Sequence, residues 1–281
     1  MSKSSPKSGR VSGLKVWSVL ASAALLFLVT GPLMAVEESA AFAGLELVDE
    51  YQAPGRIEEL SGIYPHPSDA NLYYVVANQG PVYEGAAQAK LPEVYRGKLL
   101  TVNRQGEVVA SQELVRGDYG GLAYGDGHFF VASLEPAEIL KVEPTTGNVV
   151  ARFPIAGPAG GLEYDAERNV LYAQLFVGHP HLAVVDAKTG ATVDTLWSDE
   201  SAMGLAKVKG DLLCTWANGF DTNAWSELRL LDPKTGRVLA RQALEGVHTS
   251  LAAADGGFLS MVSVGEGNVV VRRYAYNAIA R

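Results

Sequence analysis

The chain has a single cysteine, Cys214, in 281 residues. That excludes a disulfide framework and any zinc site built on paired thiolates. Cys214 lies in Leu212-Leu213-Cys214-Thr215-Trp216, among apolar neighbours that would not lower its pKa. It reads as a buried structural thiol, not a nucleophile. Also missing are a G-x-S-x-G nucleophile elbow, an H-E-x-x-H pair and a phosphate-binding P-loop. Positive charge is short, with 23 Lys and Arg against 31 Asp and Glu, a formal net charge of −8. An acidic chain lacks the basic footprint that nucleic acid or an anionic lipid surface requires.

Long apolar runs are confined to one place. A basic stretch with Lys3, Lys7, Arg10 and Lys15 precedes the run from Val16 to Val29, and Gly31-Pro32 breaks it before Leu33-Met34-Ala35. This reads as an export signal cleaved after Ala35, with Ala41-Phe42-Ala43 as a second small-residue site. The alternative is an uncleaved anchor, since Val16 to Val36 just reaches across a bilayer. No cysteine lies near the cut, which excludes a lipoprotein anchor. The expected organisation is a signal or anchor over 1–35, a linker over 36–44, one domain over 45–277 and a short tail over 278–281. The exported product would be periplasmic or extracellular, touching a membrane only if the N-terminal segment stays in place.

What is present is a repeat. Gly62-Ile63, Gly121-Leu122, Gly161-Leu162 and Gly204-Leu205 recur, followed by a degenerate Ser250-Leu251. Four of these units run on to a hairpin turn, as in Asp186-Ala187-Lys188-Thr189-Gly190 and Asp232-Pro233-Lys234-Thr235-Gly236. Multi-stranded repeats spaced by roughly 40–45 residues are the signature of a β-propeller. Four strands per unit, A to D outward from the axis, predict an all-β, five-bladed β-propeller. Six blades is the fallback if the segment after Asn78 hides further strands. The fifth unit lacks an outer strand, and a spare strand, Leu45 to Tyr51, precedes the first. Pairing the two closes the ring and hides an open edge.

Propeller geometry sorts the connections. A–B and C–D turns lie on one side and carry ordinary turn residues. B–C and D–A connections lie on the other, and loops on a rigid scaffold are where function usually sits. Glu59, Asp118, Tyr119, His179 and His181 fall there as candidate ligand-binding residues, and the stretch from Asn78 to Gly97 is a candidate lid. Aligning the units stacks Glu163 with Tyr64, Ala123, Ala206 and Ala252 on the innermost strand. A carboxylate among small residues points into the channel, where burial demands a partner or a metal. Glu163 is therefore either a catalytic or metal-binding group or a salt-bridged one. His248, before the fifth inner strand, is either a general acid–base or a hydrogen-bonded interior histidine. His179-Pro180-His181 is either a metal-facing pair or two surface histidines. Asn78 and Asn218 end B strands, and their amide oxygens beside Glu163 would suit Ca²⁺, with Zn²⁺ the other candidate ion; capping a turn is their alternative role.

The Asp-x-Lys-Thr-Gly hairpins resemble those of the YVTN or quinoprotein-like propeller group. Leu60-Ser61-Gly62-Ile63-Tyr64, followed by Asn71-Leu72-Tyr73-Tyr74-Val75-Val76-Ala77-Asn78, resembles the opening blade of the SdiA-regulated propeller family. That family's acidic step in the second blade is represented here only by Asp118. Plant-type glutaminyl cyclases are similar in blade number but carry acidic glycine-rich motifs that are missing here. These motifs encode blades, not activity. The expectation is an exported scaffold that binds a small ligand, metal ion or protein partner at the channel face, without catalysis. The alternative is a metal-dependent hydrolase of esterase or lactonase type, with Glu163 and His248 beside Ca²⁺.

Overall fold

A computed structural model describes residues 40–56, 59–79, 96–176, 181–197, 202–217 and 225–277. The described residues belong to one compact unit. After a short 3₁₀ turn at Ala40–Phe42 the chain enters β1 (Glu46–Gln52). Blade 1 comprises β2 (Leu60–Pro65), β3 (Leu72–Gln79), β4 (Arg96–Asn103) and β5 (Val108–Arg116). Blade 2 comprises β6 (Asp118–Gly125), β7 (His128–Glu135), β8 (Glu138–Val142) and β9 (Val149–Pro154). Blade 3 comprises β10 (Ala159–Asp165), β11 (Val170–Leu175), β12 (His181–Asp186) and β13 (Thr192–Trp197). Blade 4 comprises β14 (Gly204–Val208), β15 (Asp211–Ala217), β16 (Ser226–Leu231) and β17 (Val238–Leu244). Blade 5 has β18 (Val247–Ala254), β19 (Gly257–Ser263) and β20 (Val269–Ala275), and its outer strand is β1. The result is the five-bladed, all-β propeller expected from the repeat, closed by the N-terminal strand.

The glycine of each Gly–Leu step exists because the inner strands crowd at the axis. A Cβ on Gly121 would lie 2.5 Å from the Leu162 nitrogen, and one on Gly204 would lie 2.3 Å from the Leu251 nitrogen. Both distances are well inside van der Waals contact, so a side chain there would push adjacent blades apart. Ser250 takes the glycine's place in blade 5, and its Oγ accepts the Ile63 N–H at 3.2 Å. The position that looks degenerate in sequence thus joins the last blade to the first.

The leucine of each step faces the neighbouring blade. Leu205 packs with Tyr172, Leu182 and Val184 of blade 3, and Leu162 with Phe130 and Ile139 of blade 2. Each such buried side chain contributes roughly 1.5–3 kcal/mol. At the outer edge, the Asp-x-Lys-Thr-Gly turns explain themselves. The Asp186 carboxylate accepts the Lys188 N–H at 3.1 Å and the Thr189 N–H at 2.7 Å, and Gly190 takes φ +74°. Hydrogen bonds from Thr189 hold the Asp186 carboxyl below the usual range.

Candidate functional site

The inner-strand column after the Gly–Leu step contains Tyr64, Ala123, Glu163, Ala206 and Ala252. The alanines are fully buried, and Glu163 is 5 % exposed. Glu163 lies two residues before the end of β10, on the side of the A–B turns. Its carboxyl accepts the backbone N–H of Lys207. The Lys207 ammonium itself bridges Asp165 at 2.7 Å and Glu167 at 3.0 Å. Asp165 also caps its own turn through the N–H groups of Glu167 and Arg168. The cluster is therefore satisfied around Asp165 and leaves Glu163 without an ammonium of its own.

Burial pushes the Glu163 pKa up to about 8. The Asp165 charge adds to that shift, while the Lys207 N–H and ammonium oppose it. At neutral pH the group is mainly a carboxylic acid, able to donate a hydrogen bond; a metal bound there would first have to displace its proton. Tyr64, from blade 1, has its pKa raised first by burial and then by the Glu163 charge, so the two side chains share the axial space.

His248 lies at the opposite end of the inner strands, second residue of β18. In the blade alignment Glu163 is level with Ala252, four positions further on, or roughly 13 Å along a strand. The two residues read as catalytic are therefore not brought together. The His248 ring is fully buried. Its Nε2 lies 3.2 Å from the Glu245 carbonyl, which can only accept, so this nitrogen carries the proton. Nδ1 then lies 2.8 Å from the Ser260 hydroxyl, whose single proton is shared between it and the Ser250 carbonyl at 2.9 Å. Burial lowers the His248 pKa to about 4, with the nearby Arg272 charge acting in the same direction and the Glu245 bond against it. This is the interior, hydrogen-bonded histidine of the two sequence alternatives.

The other candidates are spread out. Asn78 is used at both ends of its amide: Oδ1 accepts the Tyr119 N–H at 3.1 Å and Nδ2 donates to the Tyr119 carbonyl at 3.0 Å. It thus joins blade 1 to blade 2, a role that differs from both the ligand and the turn cap expected. The Tyr119 ring is buried over Gly97, where a Cβ would lie 2.3 Å from ring carbons, and its hydroxyl donates to the Val115 carbonyl. Asp118 is half-buried with its pKa raised by burial, and it pairs in register with Glu135. Glu59 is exposed and accepts the Arg56 N–H at 3.5 Å. His181 opens β12 with Trp197 alongside, ring centroids 5.9 Å apart. His179, Asn218 and residues 80–95 of the expected lid over 78–97 lie outside the described residues. Among the described residues no three His, Cys, Asp or Glu side chains come together as a metal site.

Three aromatic side chains stand outside the core. Phe176 is 39 % exposed, Trp225 41 % and Trp197 65 %. All three sit at strand ends beside B–C or D–A connections of adjacent blades 3 and 4. Their setting is ordered: Phe176 lies over Gly160, and Trp225 meets Trp216 edge-on at 5.5 Å. Trp216 in turn carries the Arg229 guanidinium 4.7 Å from its ring centre. A period-two strand pattern marks a residue as sheet-facing but does not say whether a strand end is covered, so the sequence held no signal for this exposure.

Comparison with solved structures gives the same architecture on very different sequences. A glutaminyl cyclase from Myxococcus xanthus superposes with a TM-score of 0.58 at 14 % identity, over 83 % of this chain and 97 % of that one. A tail fibre of Staphylococcus aureus phage P68 superposes with a TM-score of 0.55 at 12 % identity, over 84 % of this chain and 53 % of the fibre chain. At such identities the likeness is one of fold. No curated protein matches the sequence. The family model described as outer membrane protein assembly factor BamB (PQQ_2) matches residues 96–280, more than half of the chain. The chain belongs to the PQQ_2 family.

Proposed function

We propose that this protein is a non-catalytic binding scaffold that docks a polypeptide partner through the strand ends of blades 3 and 4. The observation that carries this reading is the exposure of Phe176, Trp197 and Trp225 on the side of the B–C and D–A connections. Tryptophans left in water on a rigid frame cost solubility, and they are the side chains that dominate the energetics of protein interfaces. Membership in a family described as an assembly factor supports a partner that is itself a protein. Catalysis finds less support. His248 is enclosed with both ring nitrogens engaged, and Glu163 stands far from it. Export by the N-terminal segment would present the docking surface outside the cytoplasm; an N-terminus at Val36 in the purified protein is the corresponding observation.

The test is site-specific photo-crosslinking in cells. A crosslinking residue at position 197 or 225 should give the same discrete protein adduct, and one at position 188, on a C–D turn, should give none. Trp197→Ala combined with Trp225→Ala should weaken the adduct's partner by about a hundredfold or more in a purified binding assay, as two hot-spot tryptophans would. An adduct formed equally from position 188, or a partner indifferent to the double substitution, would overturn the reading.

A further inference from the structure

On the side of the A–B turns, where blade 5 meets blade 1, the structure contains a cleft of about 570 Å³. That volume is in the range of small-molecule sites. One wall comes from the A–B connection of blade 1, His66 to Asn71, which is longer than the two-residue turns Asp126-Gly127, Lys209-Gly210 and Asp255-Gly256 of other blades. The opposite wall comes from Ala253 to Asp255 of blade 5. Tyr64 forms part of the lining, so the cleft reaches the axial space next to Glu163.

The walls are held in place before any ligand arrives. His66 stacks on Tyr74 with ring centroids 5.0 Å apart, and its N–H donates to the Leu72 carbonyl at 3.1 Å. Arg104 donates to the Ala70 carbonyl at 3.0 Å, ion-pairs with Asp49 at 3.1 Å, and lies 4.8 Å from the Tyr51 ring centre. A preorganised wall of this kind lowers the ordering cost of binding.

Among the described residues that line the cleft, Arg273 is the one Arg or Lys side chain. One of its nitrogens donates to the Asp255 carbonyl at 3.2 Å, and its charge lies near the Tyr51 hydroxyl. It makes no ion pair among the described residues, unlike its chain neighbour Arg272, which holds Glu50 at 2.9 Å. A guanidinium has five N–H donors in a fork suited to a carboxylate. Of the two acids in the lining, Asp69 is turned to its own loop, accepting the Asn71 N–H at 2.9 Å, and Asp255 is at an exposed turn. Tyr64, Pro65 and Pro67 supply flat and apolar surface, and Tyr51, buried against Tyr73, closes the cleft behind them.

We propose that this cleft binds a small organic carboxylate with a flat apolar body, its carboxylate on Arg273 and its body against Tyr64 and the neighbouring prolines. The site is independent of the docking surface on blades 3 and 4.

Benzoate, benzamide and benzylamine are suitable probes, being alike in shape and different in charge. Titrated to about 10 mM, where a fragment of this size is expected to bind, benzoate should saturate chemical-shift changes in the full-length protein and raise its melting temperature. Benzamide and benzylamine should bind at least about tenfold more weakly. Arg273→Gln should lose the preference for benzoate. Ala70→Trp, at an exposed position of the cleft wall, should block all three probes and keeps the test available if Arg273→Gln does not fold. Equal binding of benzoate and benzamide, a preference for benzylamine, no binding of any probe, or benzoate binding unchanged by Ala70→Trp would overturn the proposal.

Discussion

Replacing Glu163 with glutamine should make the protein more stable, and more so as pH rises. The folded-state pKa of about 8 stands against an ordinary glutamate value near 4.3, because burial disfavours the charged form. Between those two values the folded wild type holds a proton that the unfolded chain has released. Stability that is fully present below the unfolded pKa is therefore lost as pH rises towards the folded one. At 1.36 kcal/mol per unit, the loss is about 3–4 kcal/mol by pH 7 and about 5 kcal/mol by pH 8 and above. Glutamine has the shape of the protonated acid, keeps an acceptor for the Lys207 N–H, and has nothing to titrate. Urea unfolding of both proteins at matched pH between 4 and 9 isolates the effect, because all other groups cancel in the difference. The difference should be near its minimum at pH 4 and grow to about 3–4 kcal/mol in favour of glutamine at pH 7. A difference independent of pH would refute a buried, proton-holding Glu163. A difference that grew in the wild type's favour would show the carboxylate to be paired with a cation.

His248 acts in the opposite direction: with its folded pKa at about 4, stability present above pH 6.5 is lost as pH falls towards 4, by about 3 kcal/mol. Acid unfolding of His248→Gln compared with wild type should show that slope removed, and an unchanged slope would contradict the enclosed ring. Gly204→Ala, whose new Cβ would lie 2.3 Å from a backbone nitrogen, should cost more than about 3 kcal/mol. By contrast Gly210→Ala, with φ +87° and open space around it, should cost only about 1 kcal/mol in the same melting series. For the scaffold reading, dialysis against a chelator should leave the melting temperature unchanged; stoichiometric Ca²⁺ or Zn²⁺ with a drop on its removal would revive the metal-dependent reading.

The architecture was legible because a repeat multiplies a weak signal. One Gly–Leu step says little, but four glycine steps and a degenerate fifth, four of the five with a turn glycine downstream, specify blades and their inner strands. Strand closure was legible too, since a fifth unit one strand short and a spare strand at the start leave one economical pairing. Other features depend on residues far apart in sequence. Alignment placed Glu163 in the axial column, but its Lys207 N–H and its neighbour Tyr64 come from blades 4 and 1. Asn78 reads equally as a ligand or a cap until Tyr119, 41 residues away, is seen on both ends of its amide. The cleft at the blade 5–blade 1 junction draws its walls from opposite ends of the domain. Only the unusual length of the His66–Asn71 connection hinted at it.

Closure by β1 also sets the order in which the domain is completed. Glu50 of β1 and Arg272 of β20 hold each other across 222 residues of chain. During synthesis β1 emerges first and waits for its partner until nearly the last strand has been made. Blades 1 to 4 contain all their own strands and can form as hairpins in sequence, a local process. The first strand meanwhile remains an unpaired edge, the kind of surface that joins with strands of other chains. Its three acids, Glu46, Asp49 and Glu50, set among Leu47, Val48 and Tyr51, give that waiting edge like charges that keep copies of it apart.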